Sequence, residues 1–567
     1  MIPKGARIIA VVNAFDSISS DQPYRAARSF EYAVREITEG SGTQFDPQVV
    51  EAFLRVPQST WRDQCKSEMT RHSERKSRMN SLENTLSSQP FKKPQPEEFD
   101  VVILGGGTGS TLAAWTLAAE GKRVIVVDRK YIGGSCPNIA CLPSKNVIHS
   151  AKVASFFRRS KEFGIAHDGF TIDMSGVREH KRKMVTGLNE MYMENYQKTG
   201  AEFMLGTGRF IAPRTVEATL ADGTTRQLSG ENVIVSTGTH AALQAIPGLV
   251  EAQPLTHIEA LELDRVPDHL LVMGGGYVGV ELSQAMRRFG SKVTVIDRDE
   301  RLMSREDKDV CEALGNLLTD EGIEVVLNAR IKRVSGKSGD SVSIVFDQEG
   351  TEKSITGSHL LVATGRTPNT EGLGLELAGV EVTDRGYIRV NERLQTTAPG
   401  VWAIGEVAGS PQFTHISVDD FRVVHANLTG RNRVTTGRQV PYCLFTDPEL
   451  ARVGLSEIEA RAQRTPYRLF KVPMEANLRA RTLAETRGFM KALVDADSDR
   501  ILGFTAFGVG AGEIMAAVQV AIIAGLPYTA LRDAVLTHPT LVEGLIPLFS
   551  SVAESHGVAE VTATSAA

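Results

Sequence analysis

The chain has 567 residues, 42% apolar and 23% charged, with a net charge of −5 at pH 7. That length suits several domains, and the negative charge gives no electrostatic ground for a nucleic-acid partner. Five cysteines are too few for a disulfide-stapled scaffold, and no apolar run approaches the ~18–20 residues that a membrane span needs. The opening MIPKGARIIAVVNAF has a short apolar stretch and no small-residue cleavage site, so no signal peptide is expected and a cytoplasmic location is the default.

Residues 1–60 show compact apolar spacing, and 61–97 (WRDQCKSEMTRHSERKSRMNSLENTLSSQPFKKPQPEE) read as a polar linker. FDVVIL at 99–104 is a continuous apolar run suited to a buried parallel strand. A glycine turn, an alanine-rich helix and the strand RVIVVD complete a βαβ unit. The first fingerprint is Gly105, Gly107 and Ser110, with Asp128 ending the second strand. The glycines permit a tight turn and let the backbone approach a pyrophosphate, and the acid lies where ribose hydroxyls are bound. Ser110 stands where the pattern wants Gly or Ala, which predicts slightly looser helix–strand packing. The grammar returns at 269–297, with Gly274, Gly276 and Gly279 complete and Asp297 at the strand end. Two such units predict two dinucleotide sites.

Between them lies GGSCPNIACLPSK, residues 133–145. Cys136 and Cys141 are five apart, about 7.5 Å of rise in a regular helix, beyond the usual reach of a disulfide. Pairing them therefore predicts a tightened, non-helical turn at a helix start. Pro137 disfavours helical geometry at Cys136, and Pro143 suits an early helical position. A helix N-terminus also favours a thiolate. The other cysteines (Cys65, Cys311, Cys443) are isolated, so no zinc site and no other metal site is expected.

GGSCPNIACLPSK resembles the active-site motif of the class I flavoprotein disulfide reductases. These include dihydrolipoyl dehydrogenase, glutathione reductase, mercuric reductase and the reactive-chlorine-resistance reductases. The likeness runs from about 98 to 553, through STGTHA (236–241), VATGRTPN (362–369), VWAIGEVAGSPQFTHIS (401–417), YCLFTDPELARVGLSE (442–457) and THPTLVEG (537–544). It implies an α/β fold: two Rossmann-like domains, for FAD (98–250 and 369–440) and NAD(P) (251–368), and a C-terminal α+β dimerisation domain (441–567). A small helical segment precedes them.

The resemblance further implies that the first glycine loop, with Thr237, Gly238 and Glu406, binds FAD. The second loop, with Asp297, Arg298 and Gly365, would bind NADH or NADPH. Cys141 would be the flavin-facing thiol and Cys136 the thiol that attacks substrate. Lys145 would lie near the flavin and pair with Glu281. Glu406 replaces the family's usual Asp toward the ribityl chain. His538 and Glu543 match the family's His–Glu dyad, contributed across a homodimer interface so that each active site is shared. Such a dyad can generate thiolate and protonate a leaving sulfur.

For the substrate, AGSPQFTHISVDDFR resembles the mercuric and reactive-chlorine branches. No cysteine follows Cys443 and no N-terminal CxxC domain is seen, which favours the reactive-chlorine type. The expectation is an NAD(P)H oxidoreductase acting on a small disulfide or a soft metal ion, Hg(II) or Cu(II). Dihydrolipoyl dehydrogenase is the enzyme alternative; a catalytically silent signalling or binding flavoprotein is the alternative of another class. Residues 1–60 resemble the C-terminal end of an HD-GYP cyclic-di-nucleotide phosphodiesterase domain without its metal-binding helices. Asn13 stands where that family has a metal-binding Asp, so a non-catalytic remnant is expected.

Overall fold

The computed structural model describes residue 11, residues 30–41 and 45–55, and residues 95–556. Asn13, most of the N-terminal segment and nearly all of the polar stretch at 61–97 lie outside them. The chain divides into two units, Met1–Gln95 and Pro96–Ala567.

In the first unit, helices α1 (Phe30–Glu39) and α2 (Pro47–Arg55) are amphipathic. Ala33, Ile37, Val50 and Phe53 are buried there with Val11, a small core of its own.

The second unit opens with strand β1 (Glu97–Leu104), helix α3 (Thr108–Ala119) and strand β2 (Val124–Asp128). Glu97, expected to be the last linker residue, is already strand. It pairs in register with Leu228, and its carboxylate holds Arg226 at 2.5 Å. A helical turn α4 (Ser135–Asn138) and helix α5 (Cys141–Arg159) follow, then the long α6 (Met174–Thr199). Strands β3 (Glu202–Ala212), β4 (Thr215–Leu220) and β5 (Thr225–Val235) return to the first sheet. β1 lies parallel between β2 and β5, β3 extends the parallel set beyond β2, and β4 bridges β3 and β5 antiparallel. Val102, Ile103, Ile125, Val126, Val233 and Ile234 are fully buried, as a sheet covered on both faces requires.

The chain leaves this sheet through β6 (Thr239–Ala241). The second parallel sheet holds β7 (His269–Met273), β8 (Lys292–Ile296) and β9 (Glu324–Val326), with helix α7 (Tyr277–Phe289) between β7 and β8 and α8 (Lys308–Asp320) after β8. An antiparallel layer, β10 (Ala329–Lys337), β11 (Ser341–Gln348) and β12 (Thr351–Gly357), leads to β13 (His359–Val362), which joins β7. β14 (Arg366–Pro368) then pairs antiparallel with β6, a two-stranded ribbon carrying the chain back. β15 (Val401–Ala403) lies beside β5 in the first sheet, and helix α9 (Thr414–Leu428) packs across α3. A methyl at Gly109 would sit 2.3 Å from the Ser417 carbonyl, so only glycine allows that crossing.

The C-terminal domain is a six-stranded antiparallel sheet. Its strands are β16 (Tyr442–Leu444), β17 (Glu449–Gly454), β18 (Tyr467–Pro473), β19 (Phe489–Asp495), β20 (Ile501–Gly508) and β21 (Glu554–His556). Helix α10 (Ala511–Ile523) packs on β17 and β20. Lys491, fully buried, holds Asp307, Asp309 and Glu457 at 2.8 Å each and so pins this domain to the second parallel sheet. Its ammonium fills the cage of three carboxylates that would otherwise suit a cation. No helix among the described residues is long and apolar enough to cross a membrane.

Candidate active site

Two glycine loops repeat one construction. Gly105 follows β1 at φ +96°, and a methyl there would lie 2.3 Å from the Ser236 carbonyl. Gly274 follows β7 at φ +106° in the same relation to Ala363. In each loop the next amide donates to the acid ending the neighbouring strand, Gly106 N to Asp128 and Gly275 N to Asp297. The other oxygen of Asp128 accepts from Lys130 N and Tyr131 N, and that of Asp297 from Asp299 N. Both acids therefore brace their loops.

The loops differ at the third position. A methyl at Gly279 would lie 1.9 Å from the Gly274 carbonyl, so glycine is obligatory. Ser110 is fully buried and its hydroxyl reaches the carbonyls of Gly105 and Gly107 at 2.7 and 2.8 Å. The expected loosening does not occur, because the serine stitches the turn closed.

Both loops fit a dinucleotide. A methyl at Gly276 would meet no protein atom within 4 Å, so the glycine keeps space that the protein itself does not fill. Thr108 Oγ1, at the start of α3, and Thr364 Oγ1, beside Gly365, are buried without a hydrogen-bond partner. Orphaned donors beside a phosphate-binding loop suit an anionic ligand.

Cys136 lies within α4, against the expectation of non-helical geometry there. Pro137 is tolerated because it sits in the first turn, where its missing N–H has no intrahelical partner to lose. The break falls instead at Ile139 and Ala140, and Ala140 (φ −128°, ψ −104°) resets the chain so that Cys141 begins α5. Pro143 occupies the first turn of α5 as expected. Both cysteines are free thiols. The neighbouring Cys136 thiol lowers the Cys141 thiol to about 6, helped by Thr414 and the Lys145 charge. The same proximity, with burial, pushes Cys136 well above the ordinary thiol range. Of the two sulfurs, Cys141 is the one whose surroundings favour the thiolate.

Lys145, one turn into α5, bonds Glu281 on α7 at 2.8 Å. Glu281 is 6% exposed and its other oxygen accepts from Phe445 N at 2.8 Å. The Lys145 ammonium also lies 4.8 Å from the centre of the Phe445 ring. Glu406 accepts from Thr239 and from Arg366 Nε at 3.1 Å, so one oxygen is engaged by the β6–β14 ribbon. Thr237 Oγ1 donates to Asn369 O, and the Asn369 amide to Gly238 O. Gly365 (φ +136°) accepts from Ala242 N. The Arg298 side chain is 80% exposed beside Asp299. His538 Nδ1 lies 3.0 Å from Glu543, with the imidazole 61% exposed. The dyad is formed and open to the surface.

Thr414 is absent from the sequence-derived set. Its hydroxyl lies 3.4 Å from Cys141 Sγ. Its signal lay in QFTHIS, within the motif at 401–417.

The comparisons agree with this geometry. Residues 99–420 match the pyridine nucleotide-disulphide oxidoreductase family model, and residues 440–547 match the dimerisation domain of the same enzymes. The chain is 33% identical to the probable pyridine nucleotide-disulfide oxidoreductase RclA of Escherichia coli K12, over 80% of this chain and 99% of that one. It is 32% identical to a mercuric reductase of Bacillus cereus, over 79% and 70% of the two chains. The solved structure of the Cu(II) complex of Escherichia coli RclA, an HOCl-induced flavoprotein disulfide reductase, superposes with a TM-score of 0.73 over 80% of this chain and 99% of that one. The protein is an oxidoreductase that uses FAD and NAD(P)H, and it belongs to the pyridine nucleotide-disulphide oxidoreductase family.

Proposed function

We propose that this enzyme passes electrons from NAD(P)H through the Cys136–Cys141 pair to a thiophilic acceptor, Cu(II) or Hg(II) before a small disulfide. The observation that carries the reading is Cys141 at the start of α5, with Thr414 Oγ1 3.4 Å from its sulfur and the Lys145–Glu281 ion pair one turn on, a setting that lowers its thiol to about 6. Bound FAD supplies the two-electron chemistry that joins the nicotinamide donor to the cysteines. Thr108 and the first glycine loop hold its diphosphate, and Asp128 its ribose. Thr364, Gly276 and Asp297 do the same for the nicotinamide donor. Lys145, fixed by Glu281, places a positive charge beside the Cys141 thiolate.

Cys136 keeps its proton until the acceptor arrives and then becomes the attacking sulfur. His538 of the partner subunit removes that proton, and its imidazolium is oriented and stabilised by a carboxylate. Oxidation of the dithiol to the disulfide releases two electrons: one to each of two Cu(II) ions, or both to one Hg(II) or one disulfide. NAD(P)H restores the dithiol. A pair of thiolates is a soft donor set suited to such metals, and the Cu(II) complex of the Escherichia coli relative supports the same choice.

The test is NADH and NADPH oxidation with Cu(II), Hg(II), lipoamide, glutathione disulfide and quinones. Turnover with a metal ion at least tenfold above that with lipoamide is expected. Preferred reduction of lipoamide would transfer the assignment to dihydrolipoyl dehydrogenase. The HD-GYP likeness of residues 1–60 rests on their residues alone, since the matched stretches begin at residue 99.

A further inference from the structure

Helices α5 and α7 run side by side in the same direction. Near their starts Lys145 meets Glu281; at their ends the Arg158 guanidinium donates to the Arg288 carbonyl. Beyond this shared end lies a cavity of about 530 Å³. Its wall carries five arginines, Arg158, Arg159, Arg287, Arg288 and Arg487, with four acids.

The acids are already engaged. Glu321 and Asp447 hold Arg288 at 2.7 and 2.5 Å. Asp447 and Glu485 hold Lys152 at 2.8 and 3.4 Å. Asp320 holds Arg487, and Arg159 is paired at 2.8 Å with Glu162 outside the groove. Among the described residues Arg158 and Arg287 form no ion pair. Arg158 uses one nitrogen on the Arg288 carbonyl, and Arg287 uses two, on the carbonyls of Glu321 and Ser291. Capping of helix ends explains those bonds. It leaves at least two N–H donors on each guanidinium, in a groove where Arg158, Arg287, Arg288, Arg487 and Lys152 face Asp320, Glu321, Asp447 and Glu485, one positive charge in excess.

Two like charges held together in a partly dehydrated groove repel each other. Partial burial and the charges of Arg287 and Arg288 indeed hold Arg158 below the ordinary guanidinium range. An anion with oxygens on more than one centre would relieve that repulsion and accept from both planar forks.

We propose that this groove is a binding site for a multivalent phosphate-type anion, bridging Arg158 on α5 and Arg287 on α7. The site lies away from both glycine loops. The anion would clamp the far ends of the two helices whose N-terminal ends carry Cys141, Lys145 and Glu281, and so brace the redox centre from behind.

The test is calorimetric titration of the FAD-loaded full chain with inorganic pyrophosphate. Saturating NAD+ is present throughout, so that the nicotinamide diphosphate subsite is closed to the probe. One pyrophosphate per chain should bind. Arg158→Ala with Arg287→Ala should weaken it at least about tenfold, while Arg158→Lys with Arg287→Lys, which keeps the charges, should retain part of the affinity. FAD content reports the folding of each variant. Exposed Lys198→Ala serves as a control for loss of charge alone. No binding under saturating NAD+, equal binding in the double alanine variant, or equal weakening by Lys198→Ala would overturn the site. If the alanine pair does not fold, either single alanine variant decides by the same criterion.

Discussion

Thr414 Oγ1 lies 3.4 Å from Cys141 Sγ, joining residues 273 apart in the chain. Thr414 is the first residue of α9, and α9 is fixed by its crossing over α3 at Gly109. The hydroxyl is thus delivered to the sulfur by helix packing around the first glycine loop.

Thr414→Val should raise the apparent pKa of Cys141. A folded value near 6 lies below the ordinary thiol value of 9.0, so the thiolate predominates above pH 6 and is lost as pH falls through that value. A hydrogen bond to a charged group contributes about 1.5–3 kcal/mol, so its loss should move the midpoint up by about one to two units. The pH dependence of iodoacetamide alkylation of the reduced protein, resolved by mass spectrometry at Cys141, measures it. An unmoved midpoint would remove Thr414 from the site.

Much of this site was legible because its chemistry is local in the chain. Gly105, Gly107 and Asp128, and again Gly274, Gly276 and Asp297, recur at spacings set by one strand, one turn and one helix. Cys136 and Cys141 share a single short motif. Thr414 at Cys141, Arg366 at Glu406 and Lys491 at Asp307 were not legible, because each pair is brought together by packing between segments far apart in the chain. Ser110 and Cys136 were misread for another reason. A general preference for Gly or Ala, or against helix before proline, was outweighed by a specific hydrogen bond in one case and by a first-turn position in the other.

Lys145→Met should destabilise the protein by about 2 kcal/mol, because Glu281 would remain buried without its ion partner. Loss of one member of a buried pair costs about 3–5 kcal/mol, and the partial exposure of Lys145 reduces this. Lys145→Met with Glu281→Gln should recover part of the loss. Urea denaturation of the FAD-loaded variants gives both values, and an equal or larger loss in the double variant would contradict the pairing.

For the nicotinamide donor, NADH should be preferred about tenfold to a hundredfold in kcat/KM. As the proposed ribose acceptor, Asp297 would repel a 2′-phosphate, while the exposed Arg298 would tolerate one. Asp297 also braces Gly275 and Asp299. Asp297→Ala should therefore raise KM for both donors while narrowing the preference. Steady-state kinetics with each donor decide, and a native NADPH preference would refute the assignment.

His538 and Glu543 form their dyad on an exposed face, where the proposed shared site would need it. Cys136→Ser and His538→Ala subunits should each be inactive alone. Random mixing makes half of the dimers hybrid, each with one intact site, so about a quarter of native activity should return. No recovery after verified subunit exchange would place the dyad outside a shared site.

In the proposed mechanism Cys141 holds the thiolate facing the flavin while Cys136 meets the acceptor. The direct measurement is the visible spectrum of FAD-loaded Cys136→Ser and Cys141→Ser across pH 5 to 9. Cys136→Ser should show a long-wavelength thiolate–flavin band that grows with pH, should still accept electrons from NAD(P)H and should reduce no acceptor. Cys141→Ser should show no such band. The band in Cys141→Ser and its absence from Cys136→Ser would contradict the account.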